Sequence, residues 1–521
     1  MNRTTLSLIA AVAALAAVTG VAAVTGGSSD SGDDARAAVA TRLPVERSSL
    51  VCPAPSSSDI AATTYTAFSP GWQGGKGAVG TERTAKGGAR LLPAAGGTED
   101  AADPAGTDTK GDGKGKGGAG NHRAAGGAPV VPLKQPGTPV TDTADGADAP
   151  ALAGTADGRL APGWTVQQTT TVDAGVGRGL LGTSCTAPDT DFWFPAVSTA
   201  SDRQDYIHLT NPDSGVAVVD LELFGAEGEA GTDEAVNIPG RSTVAILLST
   251  LTKDPQINLT VHVTARSGRV GASVQAADTN LGGDWLPASA DPAPSLVLPG
   301  IPADATGVRL VAFAPGEDAD LKVRLSGPSG SITPAGNASL HVKSRMTASM
   351  DLGDVTKGEP GSLILTPEDG QGVPVVAALR ITRGKGDKQE TAFIPATAAI
   401  DTRGTVADNR AKGSTLTLTA PGETARVRVT SSATTGGGSP ASETYTIKAG
   451  TTIAKAPPRP TGAKGGFAVT VERLSGGPVH AARTLALAQD GVPMFTVQTL
   501  PDDRGTVEVP AAEQDLSLLN D

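Results

Sequence analysis

Three kinds of landmark recur in this chain at intervals of about 100 residues. They are Pro212, Pro315 and Pro421; Thr243, Thr347 and Thr452; and Ala272, Ala377 and Ala481. Independent landmarks that keep one interval indicate an internal repeat. Each repeat is long enough for its own hydrophobic core, so the interval predicts a row of similar domains rather than a solenoid.

Within each repeat, apolar and polar residues alternate over short runs rich in β-branched side chains, as in 319–325. There, Val323 and Leu325 would share one face of a strand, and Lys322 and Arg324 the other. This alternation is typical of an antiparallel sheet with one solvated face. Turns rich in proline and glycine separate the runs, and no helical stripe follows residue 190. The predicted fold class is all-β, with tandem immunoglobulin-like β-sandwich units.

The same template reaches further upstream, because residues 49–53 match 295–299 and residues 67–70 match 312–315. A fourth, N-terminal unit is therefore expected, interrupted by a tract poor in large apolar residues that predicts a long disordered insertion. The predicted organisation is an export segment at 1–27, a disordered linker at 28–42, an N-terminal β unit at 43–192 with its insertion at about 85–157, β-sandwich units at 193–291, 292–399 and 400–510, and an acidic tail at 511–521.

The start of the chain predicts export. Arg3 precedes an apolar, uncharged segment from Leu6 to Val24, and small residues follow. The segment fits a cleaved signal peptide, and it is also long enough for a signal anchor in the cytoplasmic membrane. In either case the remainder of the chain, including the C-terminus, is expected outside the cytoplasm.

Export also predicts the state of the two cysteines. Cys52 lies on the first predicted strand of the N-terminal unit, and Cys185 follows its last predicted strand. An oxidising compartment favours one disulfide between them. No Cys-x-x-Cys motif or adjacent histidine indicates a redox or metal site. Closing so long a loop stabilises by about 4 to 5 kcal/mol in the chain-entropy description.

Charge and motifs predict no nucleic-acid partner, cofactor, metal or catalytic site. The net charge is −12, and lysines cluster only at 110–118. Glycine and aspartate dilute that cluster, which predicts a solvated linker, with contact to an anionic polymer as the alternative. The histidines share no ligand spacing; they are His122, His208, His262, His341 and His480. We expect His208 and His262 to be exposed strand residues.

Two further clusters have alternative interpretations. The acidic stretches 189–191 and 317–320 predict turns, with a Ca²⁺ loop as the alternative. The aromatic run 192–194 is predicted to pack the junction of the first two units, with a ligand platform as the alternative.

Several of these segments together resemble an actinobacterial family of envelope proteins, the domain-of-unknown-function family 5719. They are the export segment, Leu50–Pro53, Gly182–Cys185, Phe192–Pro195 and Leu209–Pro212. The resemblance implies an exported or membrane-anchored protein without an assigned activity. It also suggests a role in the assembly of wall polysaccharide or glycoprotein.

Two functions remain open from the sequence. The leading expectation is a non-enzymatic scaffold or binding module of the cell envelope, whose partner is a wall glycan or an envelope protein. The alternative is an enzyme, or an enzyme accessory, acting on wall polysaccharide. That alternative requires two carboxylates facing one cleft, and the sequence does not identify the pair. Oligomeric state is left open.

Overall fold

The computed structural model describes residues 41–70, 87–96, 127–231, 234–370, 372–462 and 464–509. This part of the chain is built of β-strands with two single 3₁₀ turns, Gly158–Leu160 and Leu248–Thr250, and it contains no α-helix. The strands form pairs of sheets that make four successive β-sandwiches, which confirms the predicted fold class. The predicted export segment, linker, lysine cluster and acidic tail, together with His122, lie outside the described residues.

Residues 44–507, which contain all four sandwiches, form one compact body. Of the described residues, 41–43 and 508–509 belong to a second unit. At the chain ends, strands β1 (Thr41–Pro44) and β37 (Thr506–Val509) pair in a two-stranded sheet.

The first sandwich contains more of the chain than the sequence predicted. Its sheets have the strand orders β2-β8-β4-β6 and β10-β9-β3-β7. The strands, with the short β5 that joins a sheet of the second sandwich, are β2 (Arg47–Cys52), β3 (Ala62–Phe68), β4 (Ala89–Pro93), β5 (Ala95–Gly96), β6 (Val130–Leu133), β7 (Val140–Asp145), β8 (Leu152–Asp157), β9 (Thr165–Val172) and β10 (Gly179–Ser184).

The predicted disordered insertion at about 85–157 is therefore wrong for residues 89–96 and 130–157, which contain strands β4 to β8. The physical reason is that Leu91, Leu133 and Leu152 are buried in the first core, where β4 pairs with β8. The disorder prediction rested on the average composition of the tract, which is polar and does not show its few core residues. Residues 97–126 of the proposed insertion lie outside the described residues.

The remaining sandwiches repeat the first. The second contains β11 (Asp191–Val197), β12 (Arg203–Thr210), β13 (Ala217–Gly225), β14 (Gly228–Glu229), β15 (Glu234–Ile238), β16 (Ser242–Leu247), β17 (Leu259–Ser267), β18 (Gly271–Asp278) and β19 (Gly282–Leu286). The third contains β20 (Leu296–Ile301), β21 (Ala305–Phe313), β22 (Ala319–Gly327), β23 (Gly330–Ile332), β24 (Ser339–Val342), β25 (Thr347–Asp351), β26 (Gly361–Pro367), β27 (Val376–Lys385) and β28 (Lys388–Pro395). The fourth contains β29 (Arg403–Asn409), β30 (Ser414–Ala420), β31 (Ala425–Thr434), β32 (Ala441–Ile447), β33 (Thr451–Lys455), β34 (Phe467–Gly476), β35 (His480–Gln489) and β36 (Val492–Leu500).

Strand order shows how closely the sandwiches repeat. One sheet runs β19-β18-β12-β16 in the second sandwich, β28-β27-β21-β25 in the third and β36-β35-β30-β33 in the fourth. The predicted alternation is present on β22, where Val323 and Leu325 are buried and Lys322 and Arg324 are exposed. The second sandwich begins at Asp191, two residues before the predicted boundary at 193.

The predicted disulfide joins Cys52, at the end of β2, to Cys185, directly after β10. Their Cα atoms are 4.4 Å apart, and both residues are buried in the first core. The bridge therefore ties the two sheets of the first sandwich together.

The four sandwiches form a closed ring. The last strands of successive sandwiches contact one another in the order β10, β19, β28 and β36, and β36 contacts β10 again. The ring also closes where its chain ends meet, because the Val45 N–H donates to the Gly505 carbonyl at 3.1 Å. Each sandwich thus has two neighbours.

Candidate functional site

The meeting point of β10, β19, β28 and β36 is polar and buried. We call it the hub and define it by Asp284, Glu390, Arg483, Thr496 and Gln498, whose side chains are all shielded from solvent. Charged and amide groups lose hydration when buried, so they need hydrogen-bond partners there. The positions of these groups therefore depend on the hydrogen bonds available inside the hub.

Asp284, from the second sandwich, connects three sandwiches. Its Oδ1 accepts hydrogen bonds from the Gly182 N–H at 2.9 Å, the Trp285 N–H at 2.8 Å and the Thr496 hydroxyl at 3.1 Å. A Cβ at Gly182 would overlap the Gln498 amide, so only glycine allows this close approach. Burial raises the pKa of Asp284 well above its usual range, although these hydrogen bonds act to lower it.

Glu390 is the contribution of the third sandwich. Its Oε1 accepts from the Leu180 N–H at 3.3 Å, and its Oε2 lies 4.0 Å from the Arg178 Nη2. Burial raises the pKa of Glu390 to about 9; the Arg178 guanidinium lowers it, and nearby Asp284 raises it further. A neutral carboxyl at physiological pH follows from this environment.

The contact between the fourth and first sandwiches centres on Gln167. Its Oε1 accepts from the Asp408 N–H at 2.9 Å and from the Arg483 Nη2 at 3.1 Å. Beside it, the Thr169 hydroxyl donates to Asp408 at 2.7 Å. These bonds join residues more than 200 positions apart along the chain, so they hold the ring closed.

Several buried polar atoms at and beside the hub have no hydrogen-bond partner within the described part of the chain. They are Oε2 of Glu390, Nε and Nη1 of Arg483, and Oε1 of Gln498. Buried polar atoms are ordinarily satisfied by protein or ordered water. The hub therefore has hydrogen-bonding capacity to offer to water or to a polar ligand.

A polar pocket of about 460 Å³ opens beside the hub. We call it the axial pocket. It is lined by hairpin loops of three sandwiches: Asp173, Ala174, Gly175, Arg178, Thr279, Asn280, Gly282, Gly386 and Asp387. Its volume lies within the usual range for small-ligand sites.

The axial pocket is directly connected to the hub. The Arg178 Nη2 donates to the Gln389 carbonyl at 2.9 Å, which fixes the guanidinium between the first and third sandwiches. A Cβ at Gly282 would lie 2.9 Å from Glu390 Oε2, so that glycine forms the thin wall between pocket and carboxyl. Carboxylates, an amide, a hydroxyl and a guanidinium together provide the donors and acceptors that a polyhydroxylated ligand needs.

The structure places the two strand histidines on different sheets. His208, on β12, is buried with its ring against Trp285, and burial lowers its pKa to about 4. The predicted exposure of His208 is therefore wrong, because Trp285 packs against its ring and the first sandwich contacts this sheet through the bond from Gln275 to the Pro55 carbonyl. His262, on β17, stacks on Trp193 with ring centroids 3.6 Å apart, and its nitrogens are each 2.9 Å from a carboxylate oxygen of Glu222 or Asp191.

The aromatic run packs a different junction from the one predicted. Phe192 and Phe194 lie in the second core, and Trp193 clusters with Phe224 and Phe313 between the second and third sandwiches. The prediction that the run packs the junction of the first two units is wrong, because alternation on β11 turns Trp193 toward the third sandwich. With both ring faces occupied by His262 and Phe313, Trp193 is not an open ligand platform.

The acidic stretches make local bonds. Asp191 contacts His262, Asp318 accepts from the Ser344 N–H at 2.7 Å, and Asp320 lies 2.7 Å from His341 Nδ1. Across the ranges that the structure describes, no group of three or more His, Cys, Asp or Glu side chains is arranged to hold a metal ion.

Sequence reasoning missed Asp284 and Glu390. Both are acidic residues inside strands, on β19 and β28, and Asp284 follows the pair Gly282-Gly283. A charged residue within a strand next to glycines was the available signal, since glycine in a strand interior marks a close approach.

These features define an all-β repeat protein whose β-sandwiches close into a ring around a polar centre. The chain belongs to the family of unknown function DUF5719, whose model matches residues 140–458. That match extends from the first sandwich into the fourth. None of the curated proteins matches the chain. In the described ranges, no helix has the length and apolar character needed to cross a membrane.

Proposed function

We propose that this protein is a non-enzymatic scaffold of the cell envelope, positioned outside the cytoplasmic membrane, that binds a wall glycan in its axial pocket. The observation that carries the proposal is the pocket itself, a polar cavity assembled from the hairpin loops of three sandwiches and backed by the hub. No single repeat could build it, so ring closure and the site arise together.

Glycan chemistry fits this lining. Sugars present many hydroxyl groups that donate and accept hydrogen bonds, and Asp173, Asn280 and Asp387 offer complementary groups beside the fixed Arg178 guanidinium. A rigid ring also reduces the ordering cost of binding, because the lining loops are held by short hairpins. Such a scaffold is also suited to binding an envelope protein.

The extracytoplasmic location rests on two features. The uncharged segment after Arg3 directs export, either as a cleaved signal or as an anchor that keeps the chain on the membrane. The disulfide between Cys52 and Cys185 is compatible with an oxidising compartment. We propose that the four sandwiches and the C-terminus all face outward.

The test is retention of oligosaccharides released from bacterial cell walls by the purified full chain. Asp387→Asn changes a carboxylate of the pocket, whereas Asp490→Asn makes the same change in the corresponding hairpin of the fourth sandwich, outside the pocket lining. We expect Asp387→Asn to weaken retention and Asp490→Asn to leave it unchanged. Equal retention by the two variants, or none by the unmodified chain, would contradict the proposal.

The second candidate, an enzyme acting on wall polysaccharide, is favoured by one observation. Asp284 and Glu390 are two buried carboxyls close enough to interact, and Glu390 lies behind the wall of the axial pocket. Paired carboxyls of this kind cleave glycosidic bonds when a substrate reaches both. Glu390 is fully covered, which supports binding over catalysis. New reducing ends formed by the unmodified chain, but not by Glu390→Gln, would favour the enzyme.

A further inference from the structure

The third sandwich presents an open strand edge. β25 lies at the end of its sheet and pairs only with β21 among the described strands. The Leu352 N–H donates to the Val308 carbonyl, so even-numbered residues here face β21. Because backbone groups alternate along an antiparallel ladder, those of Thr347, Ser349 and Asp351 face away from it. Ser349 and Asp351 are exposed.

The corresponding edge of the second sandwich is occupied by another part of the chain. β5 pairs in parallel with β16, with Ala95 opposite Ser242 and Gly96 opposite Thr243. The Ala95 N–H donates to the Arg241 carbonyl at 2.9 Å. A short extended segment with small side chains therefore adds one more strand to this sheet.

The two edges have the same backbone shape. Arg241 and Arg345 stand at equivalent positions before β16 and β25, and both adopt positive φ angles, 58° and 54°. A left-handed residue at this point sets the direction of the strand that follows. The edge of β25 is consequently preformed for the same kind of addition.

The difference between the two junctions lies in the preceding sandwich. After β4 the chain of the first sandwich continues through Ala94 into β5. In the second sandwich, β13 instead turns back at Gly225 and pairs with β14. The turn leaves a groove of about 580 Å³ along the edge of β25, lined by residues that include Glu227, Ile257 and Ser349.

In the fourth sandwich, the equivalent position is already covered. The Gly450 carbonyl, which corresponds to that of Arg345, accepts a hydrogen bond from the Ser326 hydroxyl of the third sandwich at 2.9 Å. Among these three edges in the described part of the chain, the one along β25 retains a groove.

We propose that this groove binds an extended peptide segment of a partner protein, which adds to the third sandwich as a strand parallel to β25. Strand addition to an exposed sheet edge is a general mode of peptide recognition, in which backbone hydrogen bonds supply affinity and flanking pockets supply specificity. The parallel direction follows from β5 on β16.

The groove also determines the chemistry of the segment. Ile257 is 62% exposed and lines the groove with Met346, so the two provide apolar contact for a peptide side chain. Lys343 is exposed and makes no ion pair within the described ranges. It precedes β25, and therefore a parallel peptide places its N-terminal side nearest to Lys343. The matching segment carries an acidic residue there, followed by small and apolar residues.

The test uses a fluorescent peptide, Asp-Asp-Leu-Pro-Ala-Ala-Gly, whose last five residues copy 92–96 of this chain. Its binding to the full-length protein is measured by fluorescence anisotropy. Ser349→Pro removes an outward N–H, and Ser349→Ala is the matched control, which keeps that N–H but loses the side-chain bond with Asn258. We expect Ser349→Pro to weaken binding about tenfold, and Ser349→Ala to bind like the unmodified chain.

Ile257→Ser tests the same groove without touching the strand backbone, so it remains informative if Ser349→Pro does not fold. It is expected to weaken binding by about tenfold as well. No binding by the unmodified chain at millimolar peptide, or unchanged binding by Ile257→Ser, would overturn the proposal. Self-association of the chain that Ser349→Pro abolishes would also overturn it, since a second copy would then occupy the edge. This inference is independent of glycan binding, because the groove and the axial pocket share no lining residue.

Discussion

The sandwich cores and the hub are built from opposite kinds of side chain. The third core consists of aliphatic residues such as Leu310, Val323 and Leu363, nearly all from its own repeat. The hub instead draws polar side chains from the second, third and fourth sandwiches and bonds them to the backbone and to Gln167 of the first. Apolar burial stabilises any well-packed arrangement, because it is not directional. Buried hydrogen bonds are directional, so they favour one arrangement of the sandwiches over others. Cores therefore account for the stability of each repeat, and the hub accounts for how the repeats are placed.

The largest effect should follow from opening a cavity in one core. Leu310→Ala removes a fully buried side chain from the third core and is expected to lower the free energy of unfolding by about 2 to 5 kcal/mol. Ile332→Ala, at a residue 57% exposed on the same sandwich, should change it by less than about 0.5 kcal/mol. Urea unfolding measures both. Similar losses for the two variants would break the assignment of stability to the cores.

Loss of the disulfide should have the next largest effect, and it should be local. Replacing Cys52 and Cys185 together by alanine is expected to cost about 2 to 4 kcal/mol, because the bridge constrains the unfolded chain. Hydrogen exchange should show faster opening in the first sandwich and unchanged protection in the other three. Loss of protection spread evenly around the ring would mean that the repeats do not open separately.

A hub substitution should act on coupling more than on any one repeat. Asp284→Ala leaves the Gly182 N–H and the Thr496 hydroxyl without their shared acceptor, which costs about 1 to 3 kcal/mol. Thr496→Val keeps the shape but removes one donor to Asp284 and the acceptor of the Gln498 amide, so it should cost about 1 to 2 kcal/mol. We expect calorimetry to show more separate unfolding transitions for Asp284→Ala than for the unmodified chain. A single unchanged transition would show that the hub does not couple the sandwiches.

A change in pH dependence is also expected from the hub. The pKa of Glu390 is raised to about 9 in the folded chain, against an ordinary value of 4.5, so the folded state holds a proton that the unfolded state releases between these values. Stability should therefore fall as pH rises from about 4.5 towards 9. Glu390→Gln should flatten that decline in urea unfolding followed from about pH 5 to 9. An identical slope in the variant would place the titrating group elsewhere.

The sequence predicted what depends on short-range pattern. Alternation identified the buried face of β22, and the position of Cys52 and Cys185 at the two ends of one unit identified their pairing. The hub was not predictable in this way. The contact between Leu180 and Glu390 joins residues 210 positions apart, and it exists only because the ring closes. The sequence of a single repeat does not predict that the ring closes.

His208 illustrates the same limit. Alternation on β12 correctly assigned it to a strand, but alternation alone does not tell which face another sandwich will cover. For residues 89–93 the prediction was wrong in the opposite sense, because disorder was expected where a strand forms. The surrounding sequence is polar, but the buried residues of this strand complete the first core. Both errors come from packing partners that lie outside the local window.

The bond between Val45 and Gly505 has a consequence for the repeat architecture as a whole. Open arrays of repeats need specialised capping units, because their first and last members would otherwise expose the surfaces by which repeats stack. A row that returns to its own beginning has no first or last member in this sense. None of the four sandwiches needs a solvent-adapted outer surface at the junctions, so all four can keep the same strand order and the same stacking surfaces.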